Sequence, residues 1–125
     1  MDRKKEEDTL TLLRAVIEKT NEFNGQNLRI LKVAEQCSFA DYFVILSGQS
    51  TLQIQALTEA LVLHAKHHGF PALSVEGLAQ GTWCLLDFGD VIVHVFNEDK
   101  RQIYGLESLW RQAEHISPEQ LRDEA

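Results

Sequence analysis

Apolar residues recur at helical spacing near the start of the chain. Leu10, Leu13, Ile17 and Phe23 fall on one face of a helix, with polar residues between them. Asp8 can cap the start of such a helix, and Asn24-Gly25 can end it. The pattern predicts an amphipathic helix from about Thr9 to Phe23 that covers part of a core.

Two strands and a second helix are predicted next. Apolar and polar residues alternate around Leu28, Ile30 and Val33, as in a half-buried strand. Tyr42 to Leu46 is an uninterrupted apolar run, too short for a helix, which predicts a strand in the centre of a sheet. Ser50 stands three residues before Gln53, the spacing of a helix-capping pair. The predicted buried stripe of that helix is Ile54, Leu57, Leu61 and Ala65, and Gly69 is placed to end it.

The clearest local signal is a β-hairpin. Trp83 to Phe88 and Val91 to Phe96 have the composition of strands, and Gly89-Asp90 joins them so closely that they must pair antiparallel. Both faces of the second strand are apolar, so His94 is predicted to lie inside the fold or at its rim. A shorter strand, Ala72 to Val75, is predicted before the hairpin.

The last quarter of the chain is predicted to be helical. Asn97 can cap a helix that runs to Gly105, and helical spacing resumes through Ala113. Pro118 then suits the first position of a short terminal helix. The elements predict the α/β (α+β) class, with a mixed sheet of about five strands flanked by helices. We expect a single domain over residues 1–125, with a core of about 8–115 and a C-terminal helical extension over 117–125.

The charge of the chain is negative and uneven. Twelve basic residues stand against 19 acidic ones, a formal net charge of −7. A phosphate backbone would be repelled, so little or no direct nucleic-acid binding is expected. From Glu76 to the C-terminus ten acids oppose four bases, a balance of −6. That half indicates a basic protein partner, or a charged face that serves only solubility.

Other composition signals are negative. Cys37 and Cys84 lie among apolar residues without CxxC spacing, which predicts reduced, buried thiols and no zinc site. The first eight residues mix acids and bases and lack the apolar region of a secretory signal. No run approaches the ~20 apolar residues that span a bilayer. We expect a cytoplasmic protein with no membrane segment, cofactor or metal.

Metal and hydrolase sites are weakly indicated. His64 and His68 are spaced to face one metal ion, but Ala65 stands where a zinc protease needs Glu, and a solvated helix end explains the histidines better. Ser47 and Ser50, with His94 and Asp87 or Asp90, contain the residue types of a hydrolase triad. The segment around the serines lacks the G-x-S-x-G elbow that exposes a nucleophile.

A nucleotidyltransferase is the stronger enzyme alternative. Gly48-Gln49-Ser50 opens a helix after a buried strand, as does the loop that holds the triphosphate in those enzymes. They also need two carboxylates at i and i+2 on one strand face, so that both ligate the same magnesium ions. Asp87 and Asp90 flank a hairpin turn instead. A nucleotidyltransferase-like enzyme or nucleotide-binding protein therefore stays the alternative hypothesis.

Large apolar residues alternate with acids in the second half of the chain. The apolar members are Trp83, Tyr104, Leu106, Leu109 and Trp110, and the acids are Glu76, Asp90, Glu98 and Glu107. Aromatic rings supply contact area at little entropic cost, and carboxylates orient a basic partner. The pattern indicates a protein-binding surface. The alternative is that both tryptophans are core residues.

Two motifs carry a family resemblance. W-x-x-x-D-x-G-D-x-x-x-H-x-F runs from Trp83 to Phe96, and R-x-x-Y-x-L-E-x-L-W runs from Arg101 to Trp110. With Asp41-Tyr42-Phe43-Val44-Ile45, Ser47-Gly48, Ser50 and Glu76-Gly77, they closely resemble the ribosomal silencing factor (Iojap-like) family. The resemblance covers nearly the whole chain, and Cys84 and Gly105 depart from the residues usual there.

The resemblance implies a nucleotidyltransferase-like fold without the active site, and hence no enzyme. It implies binding to the large ribosomal subunit through the ribosomal protein usually numbered fourteen. Such binding would block association with the small subunit and repress translation under nutrient limitation, and a homodimer is a further implied form. On this analogy the contact is assigned to Glu76, Trp83, Asp87, Asp90, His94, Glu98, Tyr104, Leu106, Glu107, Leu109 and Trp110.

Overall fold

A computed structural model describes residues 3–121 as helices packed on both faces of a six-stranded sheet. The helices are α1 (Arg3–Glu22), α2 (Thr51–His67), α3 (Glu98–Tyr104) and α4 (Leu106–Leu109), and a 3-10 helix spans Pro118–Leu121. The strands are β1 (Gln26–Lys32), β2 (Tyr42–Gly48), β3 (Ser74–Glu76), β4 (Trp83–Asp87), β5 (Val91–Asn97) and β6 (Glu114–Ile116). Within residues 3–121, no helix combines the length and apolarity that a bilayer crossing requires.

The sheet confirms the predicted fold class. Its strand order is β3-β4-β5-β2-β1-β6, and only the central pair, β2 and β5, is parallel. The apolar run that begins at Tyr42 is in the centre, and the hairpin of β4 and β5 is antiparallel, as predicted. The count of about five strands was one short, and residues 114–116 were not predicted as a strand. Their sequence has no strand pattern, and they pair with β1 only because the chain returns to that edge.

Helices α1 and α2 cover one face of the sheet. The predicted α2 stripe is confirmed, since Ile54, Leu57, Leu61 and Ala65 are all buried. Ser50 Oγ accepts a hydrogen bond from Gln53 N, and Gln53 Oε1 accepts one from Gln49 N, so the capping pair is also formed. The chain turns away at Gly69, whose φ of +91° is left-handed.

The buried face of α1 differs from the prediction. The helix begins at Arg3, and its deepest residues are Leu12, Leu13 and Val16. Leu10, Ile17 and Phe23 are only half-buried and pack at the rim of the same core. The spacing identified the correct side of the helix but not its centre, which lies where α1 packs against α2 as well as the sheet.

The opposite face of the sheet is only partly covered. Short helices α3 and α4 and the segment 33–41 lie over its middle, while β4 extends beyond them. Consequently Trp83, Leu85 and Asp87 are half-exposed on this face, whereas Cys84 and Leu86 on the helix-covered face are buried. Glu76 pairs with Leu85 and therefore faces the same way. We call this side the open face.

The end of the chain departs from the predicted helices. Helix α4 stops at Leu109 instead of continuing through Ala113, and the next residues form a turn before β6. Pro118 does begin a helical turn, of the 3-10 type. Residues 122–125 of the predicted C-terminal extension, like residues 1–2, lie outside the described range, and the single domain over 1–125 stays a prediction.

Candidate protein-binding surface

Aromatic rings form a continuous cluster on the open face. Trp83 is near its middle, stacked on Phe96 with ring centroids 4.9 Å apart and 4.5 Å from the ring of Tyr104. Phe43 joins the cluster through edge contacts to His94, at 5.4 Å, and to Trp110, at 5.2 Å. The aromatic cluster as used below comprises Phe39, Phe43, Trp83, His94, Phe96, Tyr104 and Trp110.

His94 lies beneath this surface. Its side chain is inside the fold, the first of the two predicted positions, and the residue is only 5% exposed. Burial lowers its pKa from 6.5 to about 4, so the ring is neutral at pH 7. Nδ1 accepts a hydrogen bond from Trp83 Nε1 at 3.1 Å, which leaves the proton on Nε2. His94 can therefore influence a partner only through the residues above it.

Neither tryptophan is fully buried in the core, and neither is fully exposed. Trp83 and Trp110 are both half-buried, each with one side against the fold. Next to them, Tyr104 is 50% exposed and Leu109 is 71% exposed, while Leu106 is half-buried. A large ring held rigidly with one edge open is the usual form of an interface anchor.

Three residues of the open face were missed by sequence reasoning. Phe39 and Ile103 are 64% and 72% exposed, and Leu85 is half-buried beside Trp83. Ile103 could have been found as an apolar residue on a polar side of a short helix. Phe39 lies in an irregular segment and Leu85 in a strand with two apolar faces, so their exposure has no local signal.

Two of the predicted contact acids are engaged inside the protein. Glu107 Oε1 accepts a hydrogen bond from Arg101 Nε at 2.8 Å, and Arg101 is almost fully buried. Glu98 accepts hydrogen bonds from Gln102 and from Ser47 Oγ, which hold the pKa of its carboxyl below the usual range. Both carboxylates are thus bonded to neighbouring side chains, while Glu98 stays exposed and Glu107 is 35% exposed.

The remaining acids are at different places. Glu76 is exposed at the β3 edge of the open face. Asp87 Oδ1 accepts from Gly89 N at 2.8 Å and stabilises the hairpin turn. Asp90 lies at the hairpin tip, 3.5 Å from Lys5 Nζ. Phe96, which pairs with Trp83, is six positions further along the chain, a span of about 20 Å.

The enzyme alternatives find no supporting geometry. The Gly48–Ser50 loop is at the end of β2 that adjoins Asn97, while Asp87 and Asp90 are at the opposite end of the sheet. Ser50 caps α2, so its hydroxyl has a structural use. Of the hydrolase set, His94 is hydrogen-bonded to Trp83 rather than to a serine.

The histidines of α2 also have local partners. His64 Nε2 is 3.1 Å from Glu18 Oε1, and His68 Nδ1 is 3.0 Å from the carbonyl of His64. Across residues 3–121 no three potential metal-ligating side chains come together. His64 is half-buried beside Glu18 of α1, whereas His67 and His68 are exposed at the end of α2.

A family model supplies the identification. Residues 6–125 match the model described as "Ribosomal silencing factor during starvation". The chain belongs to the ribosomal silencing factor family. The resemblance seen in the sequence is thus confirmed.

Individual members of the ribosomal silencing factor family are also similar. The chain is 34% identical over 108 residues to the ribosomal silencing factor of Halalkalibacterium halodurans, covering 86% of this chain and 92% of that one. It is 33% identical over 90 residues to a mouse protein named "Mitochondrial assembly of ribosomal large subunit protein 1", covering 70% of this chain and 40% of the mouse protein. A crystal structure of a Chromobacterium violaceum protein has a TM-score of 0.78 at 27% identity, covering 88% of this chain and 87% of that one.

The two motifs that indicated the ribosomal silencing factor family occupy adjoining parts of the fold. The first, Trp83 to Phe96, is the β4–β5 hairpin and supplies Trp83, His94 and Phe96 to the aromatic cluster. The second, Arg101 to Trp110, is most of α3 and all of α4. Together they form the half-covered part of the open face.

Proposed function

We propose that this protein is a translation repressor of the cytoplasm that binds the large ribosomal subunit and blocks its association with the small one. The contact on the ribosome is the protein usually numbered fourteen, and the silencing acts under nutrient limitation. The observation that supports this most is the rigid, half-open aromatic cluster on the open face of a member of the ribosomal silencing factor family.

The physical basis of binding is burial of apolar area. Tyr104 is exposed beside the half-buried Trp83, and Ile103 and Leu109 are exposed on α3 and α4. A partner that covers them removes large apolar surfaces from water. Glu76 borders this area and favours a basic partner. Asp87, half-exposed on the open face, belongs to the rim of the proposed interface, and Asp90 lies beyond that rim at the hairpin tip.

Repression by this mechanism requires no catalysis. A folded protein attached to one subunit occupies volume that the other subunit needs. Relatives are named as ribosomal silencing factors, and the mouse relative is named for large-subunit assembly, which supports a ribosomal partner and a non-enzymatic role. A titration calorimetry experiment with nucleoside triphosphates and magnesium should give no heat, and a saturable signal would favour the nucleotidyltransferase alternative.

The test uses purified subunits and one matched pair of variants. Light scattering should show that the protein prevents 30S and 50S particles from joining, and sedimentation should find it on the 50S particle. Leu109→Asp should weaken 50S binding at least tenfold, because a charge replaces an apolar contact on the open face. Leu63→Asp is the control, since Leu63 is similarly exposed at 55% but lies on α2.

Two results would refute the proposal. Undisturbed subunit joining at saturating protein would remove the blocking mechanism. Equal binding by Leu109→Asp and the wild type would remove the open face as the contact. The homodimer stays a prediction, which light scattering of the protein alone at several concentrations will test.

A further inference from the structure

One buried arginine connects three elements of the open face. Arg101, on α3, donates from Nε to Glu107 Oε1 of α4 at 2.8 Å and from Nη1 to Ser47 Oγ of β2 at 2.9 Å. Ser47 Oγ in turn donates to Glu98 Oε1 at 2.9 Å. The side chain of Arg101 is only 5% exposed. We call these four residues the Arg101 network.

Helices α3 and α4 are short, and Tyr104, Leu106 and the C-cap residue Trp110 pack them against the aromatic cluster and the core. They contain seven and four residues, far fewer than an isolated helix needs to persist in water. Arg101 is the one fully buried residue of α3, and α4 has none. Between them Gly105, at a φ of +55°, makes a sharp bend. The Arg101 network adds a polar link that joins both helices to β2.

Stability alone does not explain the Arg101–Glu107 ion pair. Burial of Arg101 desolvates its charge, which offsets part of the attraction to Glu107, and apolar replacements of buried charged groups are often as stable. What an arginine supplies is direction, because its planar group bonds two acceptors at fixed angles. Here those acceptors are on β2 and α4, so the guanidinium joins α3 both to the sheet and to the helix beyond the bend at Gly105.

We propose that Arg101 is a positioning residue, which fixes the α3–α4 bend so that Tyr104 and Leu109 meet the partner together with Trp83. Glu107 then acts through Arg101 and does not contact the partner, which revises the role assigned to it from the sequence. The inference rests on the proposed ribosome contact. A positioning role predicts faster dissociation when the network is broken, whereas a direct charge contact predicts a changed salt dependence of the association rate.

The test compares variants of Ser47 and Glu107 in binding to immobilised 50S particles at several salt concentrations. Ser47 is 1% exposed and cannot touch a partner, so an effect of Ser47→Ala must be transmitted through the network. Ser47→Ala and Glu107→Gln should each raise the dissociation rate at least fivefold. The salt dependence of the association rate should stay that of the wild type, since rim charges alter mainly that quantity.

A double-mutant cycle tests whether Arg101 and Glu107 affect binding through the same interaction. Arg101→Met with Glu107→Gln should weaken binding by less than the product of the two single effects, because both break the same interaction. Thr58→Val is the matched control, which removes a buried hydroxyl on the helix-covered side and should leave both rates unchanged. If Arg101→Met does not fold, the dissociation rates of Ser47→Ala and Glu107→Gln test the positioning role by themselves.

A second measurement needs no partner. Amide hydrogen exchange at Gly105, Leu109 and Trp110, which bond within the bend, should accelerate in Ser47→Ala and Glu107→Gln but not in Thr58→Val. Unchanged exchange overturns the positioning role. A wild-type protein that fails to bind 50S particles refutes the proposed function instead, and a Glu107→Gln variant that changes only the salt dependence shows a direct charge contact.

Discussion

Trp83 donates its indole N–H to Nδ1 of His94, at 3.1 Å, from the neighbouring strand of the sheet. This hydrogen bond holds the half-exposed indole ring of Trp83 in one orientation against the buried imidazole of His94. His94 Nε2 is buried and has no hydrogen-bond partner in the part of the chain that is described. An unsatisfied buried donor costs about 1–3 kcal/mol, so this histidine is retained at some expense of stability.

The first prediction concerns pH. The pKa of His94 is about 4 in the native state and close to its ordinary value of 6.5 in the unfolded chain. Between those values the unfolded chain binds a proton that the native state does not. The free energy of unfolding should therefore fall by about 2 kcal/mol from pH 7 to pH 5. Urea denaturation measures it, and His94→Leu should abolish most of the slope.

The control for this prediction is His67→Gln, at an exposed position on α2, which should keep the wild-type slope. A His94→Leu variant with an unaltered pH dependence would show that other groups are responsible. We also expect His94→Leu to be no less stable than the wild type at pH 7, because it removes the unsatisfied Nε2.

The second prediction concerns the bond itself. Trp83→Phe keeps an aromatic ring but loses the donor to His94, so the ring is less firmly oriented. Binding to 50S particles should weaken about tenfold, or about 1.4 kcal/mol. Trp110→Phe is the control for loss of an indole, since Trp110 is likewise half-buried in the aromatic cluster but contacts Phe43 instead of His94. Equal effects of both variants would argue against a role for the bond.

The third prediction concerns the turn before β4. Gly77 has a φ of +85°, and a Cβ there would be 2.0 Å from the carbonyl oxygen of Trp83. Gly69 has a similar φ of +91° but open space around it. Gly69→Ala should cost about 1 kcal/mol for backbone strain alone, and Gly77→Ala at least twice that. Chemical denaturation compares them, and equal losses would mean that the turn relaxes freely.

The fourth prediction concerns charge. Glu76→Lys should lower the association rate with 50S particles and flatten its salt dependence, because Glu76 borders the open face. Asp90→Lys should have the smaller effect, since Asp90 lies at the hairpin tip beside Lys5. Stopped-flow measurements at low and high salt decide between them. A loss with Asp90→Lys as large as with Glu76→Lys would extend the contact to the hairpin tip.

The sequence by itself determined the local elements and the family. The apolar run from Tyr42, the Ser50–Gln53 cap and the hairpin turn at Gly89 are set by residues within a few positions of one another. Short-range patterns of this kind report burial on a face directly. They also carried the motifs by which the family was recognised.

The tertiary structure decided which residues of the surface face outward. Ser47 meets Glu98 and Arg101 from more than 50 positions away, and the resulting network holds two predicted contact acids, Glu98 and Glu107, by hydrogen bonds. β6 likewise exists only because a polar segment returns to the edge of β1. Periodicity identifies the sides of an element, but the partner of a charge or of an edge depends on how distant elements pack.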